Sequence, residues 1–550
     1  MSAAGADAQT VKPEALLLRG GAVYTENPSK PWATALVIED GRIVYVGDDR
    51  GAETYRRPGL REIDLRARMV MPGFHDAHSH PMSGGMKLLR CRLEEATSRE
   101  AVYQSIRRCA KDSAHAWLLG RGWSPKMFGS AGPSRAKLDE LVPDRPAFLT
   151  TEEGFIGWVN SRALEEAGID AAKPGSDDDG VRRDPATGSA TGLVERAAAD
   201  RVRRVVPRPD AAEYREALKR TTAIANRYGI TSIFDASVSP DMFEAYRAAD
   251  RAGELTVRIV AAQLIVGGRG IEQVDDMASR RDSVHSEMLR ADAAKIFLDG
   301  EIDQHTAAML DAYADQPDSH GSLFAPPEIL DAMVRKLDAE GFLIHMHTMG
   351  DGAVRAALDS FEAAARANGA RDRRHQLAHI AIASPSDIAR FATLGVGANF
   401  QPMWFLPDDP AAKGTRLALG SERSRALYPM ADIAATGAMI LSSSDWPSTS
   451  MNPLDAIQAA MTRKTSASRS GEYMTLPAML AAYTKNAARF AREDTTDGSI
   501  EVGKSADVIV LDRNLFGVAS AELRKVRVLM TLVEGRPVYA DPTFAAVPLR

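Results

Sequence analysis

The densest chemistry in the chain sits in nine consecutive residues, Pro72-Gly73-Phe74-His75-Asp76-Ala77-His78-Ser79-His80. His78 and His80 are two positions apart, so in a β-strand both imidazoles leave the same face and can grip one cation. His75 has the opposite parity to His78 and is expected to face a helical layer. A lone His-x-His pair suits a buried core equally well, so its weight depends on what else the chain supplies. Four other stretches add to it: Lys295 in Lys295-Ile296-Phe297-Leu298-Asp299-Gly300, His347 before Thr348-Met349-Gly350-Asp351, His379 after Leu377-Ala378, and Asp445 in Ser442-Ser443-Ser444-Asp445-Trp446-Pro447. Imidazoles joined by a carboxylate make a donor set suited to a divalent transition ion.

Strand candidates are what would position these residues. Apolar runs at Val70 to His80, Ile230 to Asp235, Val257 to Leu264, Ala294 to Asp299, Phe342 to His347, Gln376 to Ile380, Val396 to Phe400 and Met439 to Asp445 read as eight strands. Most gaps between them carry Ala-rich helical patterns, such as Pro326 to Glu340 and Gly352 to Ala367, as parallel crossovers require. Eight such units predict an α/β chain closed into a (β/α)8, TIM-like barrel, with an open parallel sheet as the alternative. His78, His80, His347, His379 and Asp445 then fall at the C-terminal ends of their strands, where barrel active sites are built, and Lys295 lies on the fourth strand.

The two ends of the chain echo each other, Asp40-Gly41-Arg42-Ile43-Val44-Tyr45 against Glu534-Gly535-Arg536-Pro537-Val538-Tyr539. Both read as hairpins, which predicts one small β-sandwich made from residues 1–69 and 498–550 around a barrel spanning 70–497. The stretch from about 84 to 228 is too long for one crossover and reads as an insertion with strands of its own at Trp117 to Gly120 and Ala147 to Thr151. Within it, Pro174 to Gly192, with Asp177-Asp178-Asp179, reads as a solvated polar loop. Trp123 in the insertion, with Trp404 and Trp446 directly after the seventh and eighth strands, are the candidate aromatic walls of a substrate pocket. Core packing accounts for such residues equally well.

With 550 residues, 45% of them hydrophobic, and a mean hydropathy of −0.23, the chain has ample material for a large soluble core. Its formal charge of −6 comes from 68 basic and 74 acidic residues that are intermixed, without the basic stripe that tracks phosphates, so nucleic acid is not an expected partner. Met1 to Pro13 has neither the basic nor the apolar segment of a secretory signal, and no run is apolar enough to span a bilayer. A cytoplasmic protein with no membrane association is expected. Cys91 and Cys109 have no partner at metal-binding spacing and are expected to be reduced thiols.

Taken together, these motifs resemble the amidohydrolase superfamily, and within it the amidohydrolase-3, YtcJ-like branch that includes N-substituted formamide deformylases. The resemblance runs from Pro72-Gly73-Phe74 to Gly498-Ser499-Ile500-Glu501-Val502-Gly503. It implies that His78, His80 and Asp445 hold one divalent ion, expected to be zinc, while His347 and His379 hold a second. Lys295 matches the lysine that becomes N-carboxylated and bridges the pair, turning a repelling ammonium into an anionic oxygen ligand. His347, not His345, matches the ligand position, leaving His345 a structural role. Related mononuclear deaminases carry a glutamate shortly after the fifth-strand histidine, and none follows His347 here. Two departures from the pattern stand out: Phe155 where relatives often have His, and Leu377-Ala378-His379 where they often read Ile-Glu-His.

The chemistry so implied is hydrolysis of a small-molecule substrate. Ions at such a site activate water at neutral pH and polarise a carbonyl, and Asp445 is expected to shuttle the proton to the departing amine. Linear C–N bonds, as in N-substituted formamides or N-acyl amines, are the first reading, cyclic amides, carbamates or esters the second, and a non-catalytic metal-binding regulator the third. Dimerisation is expected by family analogy alone.

Overall fold

A computed structural model describes residues 15–545 apart from 113–114, 130–131, 152–153, 172–179, 407–409 and 464–473. The Asp177-Asp178-Asp179 loop therefore lies outside the described residues. The chain divides into two compact units, one of residues 1–82 with 221–550 and one of residues 83–220.

The larger unit holds eight parallel strands in sequential order: β1 (Phe74–Ser79), β2 (Ile230–Val238), β3 (Arg258–Leu264), β4 (Leu289–Phe297), β5 (Leu343–Thr348), β6 (Gln376–His379), β7 (Gly397–Phe400) and β8 (Ile440–Ser442). All of β5, β6, β7 and β8 are buried along their length, as strands covered on both faces must be. Backbone bonds just past β8 bring the sheet round to β1: Asp445 N donates to His78 O at 2.8 Å and His80 N to Trp446 O at 2.8 Å. The sheet is thus rolled into the expected barrel.

One strand candidate divides. The run from Val70 to His80 breaks at Gly73, where an added Cβ would meet the Thr231 side chain at 2.2 Å. Only the part from Phe74 onward joins the barrel. The preceding strand Met69–Pro72 pairs instead with Ala22–Tyr24 and with Val508–Leu511. The latter contact puts the chain ends in one six-stranded sheet, facing a four-stranded sheet from the N-terminal part, over a shared core that includes Leu18, Leu36, Ile38, Val70, Val508, Val510 and Leu532. The two echoing turns are alike in conformation as well as sequence: Asp40 and Gly41 have φ of 47° and 79°, Glu534 and Gly535 48° and 69°, the left-handed pair that two-residue hairpins need.

The smaller unit is a six-stranded sheet running from Val181–Arg183 to Cys91–Arg92. Its core takes in Trp123 and Trp158. Here the cysteine expectation is overturned: Cys91 and Cys109 form a disulfide, with Cα atoms 5.6 Å apart. On the helix Arg99–Asp112, Val102 and Ile106 are buried. Cys109 lies one further turn along that same face, so packing the helix on the strand Cys91–Arg92 brings the two thiols together. Among the described residues no helix is long and apolar enough to cross a membrane.

Candidate metal centre

Strand parity delivers the first pair as anticipated. His78 is fully buried on β1, His80 lies just beyond it, and Asp445 follows β8. Asp445 Oδ1 sits 3.3 Å from His78 Nε2 and 3.1 Å from His80 Nε2, and ligand atoms of the three lie within 4.8 Å of one another. Two more imidazoles join from β5 and β6: the ring centroid of His379 is 4.5 Å from that of His347 and 4.8 Å from that of His78. Lys295, fully buried on β4, is close enough for its charge to act on His78, His347 and Asp445. All six expected residues therefore meet at one end of the barrel.

Two of them occupy backbone conformations that parity does not provide. His379 has φ of 76° and Asp445 of 51°, left-handed values uncommon for residues with a Cβ and concentrated at functional sites. The turn at His379 continues through Ile380, at 47°, which is why β6 stops one residue short of expectation.

Hydrogen bonds behind the rings orient them. His345 Nε2 lies 2.8 Å from His78 Nδ1, Gln401 Oε1 lies 2.8 Å from His379 Nδ1, and His347 is hydrogen-bonded by the backbone of Gly300. Asp76 accepts from the backbone N and the hydroxyl of Ser444, at 2.9 and 2.5 Å, so that β1 also holds the residue before Asp445. Asp299 accepts from Ala308 N, Met349 N and Gly350 N, anchoring the loop that follows His347. Asp76 and Asp299 stand inside the motifs singled out from the sequence but had been assigned no role. Gln401 has no sequence signal: only folding brings it behind His379.

Electrostatics favour cation binding. Burial, reinforced by neighbouring positive groups, holds His78 and His379 well below the ordinary imidazole value, and burial followed by Lys295 brings His347 down to about 3. These rings are neutral and offer lone pairs. Burial brings Lys295 down to about 7, against a small opposing effect of Asp445, which makes the free amine accessible at neutral pH. Burial alone would raise Asp445, but the His80 hydrogen bond and then His379 hold it below the usual carboxylate range, so it is an anion. His78 Nε2, His347 Nε2 and Lys295 Nζ are buried with no hydrogen-bond partner. Orphaned buried polar atoms are costly, and three on one ligand set are what a divalent cation would satisfy. The residues fit the group.

The tryptophans separate. Trp404, in the turn Pro402–Phe405 after β7, stacks face-on against His379, with centroids 4.9 Å apart and planes 4° apart, and lines a cavity of about 690 Å³. Trp446 is half-buried, and its backbone O receives the His80 N–H. Trp123 is 1% exposed within the smaller unit, where its indole N–H donates to Leu149 O at 2.8 Å and its ring packs on Phe128 and Trp158. That is a core environment. Phe155 in the same unit is 72% exposed.

A second acidic cluster is of a different kind. His75 faces away from the metal centre, as its parity predicts, with Nε2 at 2.9 Å from Asp497 and Nδ1 at 3.4 Å from Glu493. With carboxylates at both nitrogens it is an imidazolium, which has no lone pair to give. His375, just before β6, is likewise buried away from the centre, accepting from Ile344 N and bonded to Asp338.

Known proteins resemble this chain over most of its length. A model of the amidohydrolase family matches residues 61–539. The chain is 30% identical to protein LONG AFTER FAR-RED 3 of Arabidopsis thaliana over 95% of its own length and 91% of that protein's. It is 28% identical to the N-substituted formamide deformylase of Arthrobacter pascens over 94% and 97% of the respective chains. Among solved structures, a metal-dependent hydrolase from Pyrococcus furiosus superposes with a TM-score of 0.76 at 25% identity, covering 91% of this chain and 99% of that one.

Proposed function

The chain belongs to the amidohydrolase family, and from that premise we propose that this metal-dependent hydrolase cleaves linear, non-peptide C–N bonds, as in N-substituted formamides and N-acyl amines. The observation that carries the reading is the meeting of Asp445, His78 and His80 within 4.8 Å beside a cavity walled by Trp404. The likeness to a formamide deformylase supports the substrate class. His78, His80 and Asp445 would hold one ion and His347 and His379 a second, with Lys295, N-carboxylated, bridging them. Zinc suits the imidazole-rich set. When bound, the metal supplies an activated water and a polarised scissile carbonyl.

The chain's own residues do the rest. Asp445 is anionic and buried, so it accepts a proton as water attacks and returns it to the departing nitrogen, which an amide requires because its amine is a poor leaving group unprotonated. His345, Gln401 and Gly300 keep the imidazoles aimed. Trp404 shields His379 and offers an aromatic face to the acyl or amine substituent.

The test is metal analysis together with initial rates on matched linear amides, lactams, carbamates and esters. We expect one to two equivalents of a divalent transition ion per chain, loss of turnover on chelation, and the highest kcat/KM on linear amides. Preference for the lactam or ester would move the assignment to the cyclic or ester class. Full turnover by metal-free protein would overturn the mechanism.

A further inference from the structure

Behind the metal centre the barrel interior holds a relay of amides and a hydroxyl that takes no direct part in hydrolysis. Gln376 on β6, Asn399 on β7, Gln401 just past β7 and Ser443 just past β8 are all fully buried. Asn399 Nδ2 donates to Ala77 O at 2.9 Å and to Gln376 Oε1 at 3.0 Å, while its Oδ1 accepts from Gln401 Nε2 at 3.2 Å and from Ser443 Oγ at 2.6 Å. Gln401 Nε2 donates to Ser443 Oγ as well, at 2.8 Å. Both protons and both lone pairs of the Asn399 amide are therefore in use.

One backbone group sets the polarity of this relay. The oxygen of Ala77, the residue before His78, can only accept. Asn399 must present Nδ2 to it, which turns Oδ1 towards Gln401. Gln401 must answer with Nε2, which leaves its Oε1 at 2.8 Å from His379 Nδ1. An amide oxygen cannot donate, so the neutral His379 ring carries its proton on Nδ1 and keeps the Nε2 lone pair for a cation. On the other side, the second Nδ2 proton of Asn399 obliges Gln376 to present Oε1. His345 is the register partner of Gln376 on β5. Its Nδ1 is buried with no well-aligned partner, and Gln376 is the side chain in hydrogen-bonding range of the ring. Facing an acceptor there, His345 carries its proton on Nδ1, and its Nε2 is left to accept from His78 Nδ1 at 2.8 Å. His78 then also keeps Nε2 free.

We propose that Asn399 is a positioning residue for both halves of the metal centre: pinned by the Ala77 carbonyl, its amide fixes the proton of His379 through Gln401 and that of His78 through Gln376 and His345, so that both rings present Nε2 to the ions. This rests on the two-ion reading above and names what holds that site in register. Asn399 hydrogen-bonds to neither histidine, and its effect on each is carried by a different glutamine. Reversing either ring means breaking a chain of buried hydrogen bonds, so one substitution at the shared amide should release both.

The experiment reads the tautomers directly, by ring-nitrogen NMR of histidine-labelled, full-length protein freed of metal, and stepwise zinc affinity by chelator competition on the same variants. In the wild type, His78 and His379 should both carry the proton on Nδ1. Gln401→Leu should release His379 alone and Gln376→Leu His78 alone, whereas Asn399→Leu should release both. Zinc affinity should fall about 10- to 100-fold at the ion served by the released ring, and at both ions in Asn399→Leu, the usual cost of losing the support of a ligand. Should Asn399→Leu fail to fold, the wild-type tautomers and the one-sided effects of the two glutamine variants still decide. A wild-type proton on Nε2 of either ring, or Asn399→Leu with both tautomers and both affinities intact, would overturn the proposal. So would equal losses at both histidines in every variant, the mark of general loosening. The metal reading is scored apart: a wild type with both tautomers as expected that binds no divalent ion would count against the hydrolase reading and leave the relay standing.

Discussion

His345 and His78 face each other across the barrel interior, Nε2 of one 2.8 Å from Nδ1 of the other. If His78 is to offer Nε2 to a metal, its proton must sit on Nδ1, and His345 is the acceptor that keeps it there. His345→Phe is therefore expected to weaken metal affinity by about 10- to 100-fold, the usual cost of losing such a support. His345→Gln, whose carbonyl can still accept, should recover part of it. Competition with a chromophoric chelator reads this directly, and wild-type affinity in His345→Phe would show that the contact is packing only.

Asp445→Asn should lower kcat by about 100-fold or more, because an amide cannot carry a proton at neutral pH. The side chain also sits among the ligands, at 3.1 Å from His80 Nε2. Metal content must therefore be measured on the same sample. Near-normal kcat at full occupancy would remove the proton-transfer role.

Lys295→Ala is expected to lose one metal equivalent and most activity, and added acetate or propionate should restore a fraction of both by filling the vacated bridge. Burial already brings the amine of Lys295 down to about 7, so wild-type protein should reconstitute faster with metal when bicarbonate is present. A mutant with two ions and full turnover would show that Lys295 does not bridge them.

His75 yields a stability prediction. Burial would lower its pKa, but Asp497 and then Glu493 outweigh that and raise it from 6.5 to about 10. A folded-state value above the unfolded one means the stabilisation is complete below the unfolded pKa and is lost as pH rises through the folded one. Relative to wild type, His75→Gln should show its largest deficit in Tm near about pH 6 and a smaller one above about pH 10. A deficit that does not change with pH would mean that His75 is not charged in the fold.

Much of this protein is written locally. The alternation of β1 puts His78 and His80 on one face and His75 on the other, because side-chain parity follows from the strand backbone alone. The strand and helix periods likewise determine the α/β class, and the paired Asp40-Gly41 and Glu534-Gly535 turns mark hairpins at both ends because few other residue pairs tolerate φ above zero twice in succession. Tertiary structure decided whatever depends on two distant segments meeting. It bent His379 and Asp445 into left-handed conformations so that their side chains reach the centre, placed Gln401 and His345 behind the rings, and joined Cys91 to Cys109 once a helix face was packed on its strand. It also sent Trp123 into a core and Trp404 onto His379, though both are tryptophans in pocket-like positions along the sequence. Local periodicity tells which way a side chain points, but only closure of the barrel determines what it meets there.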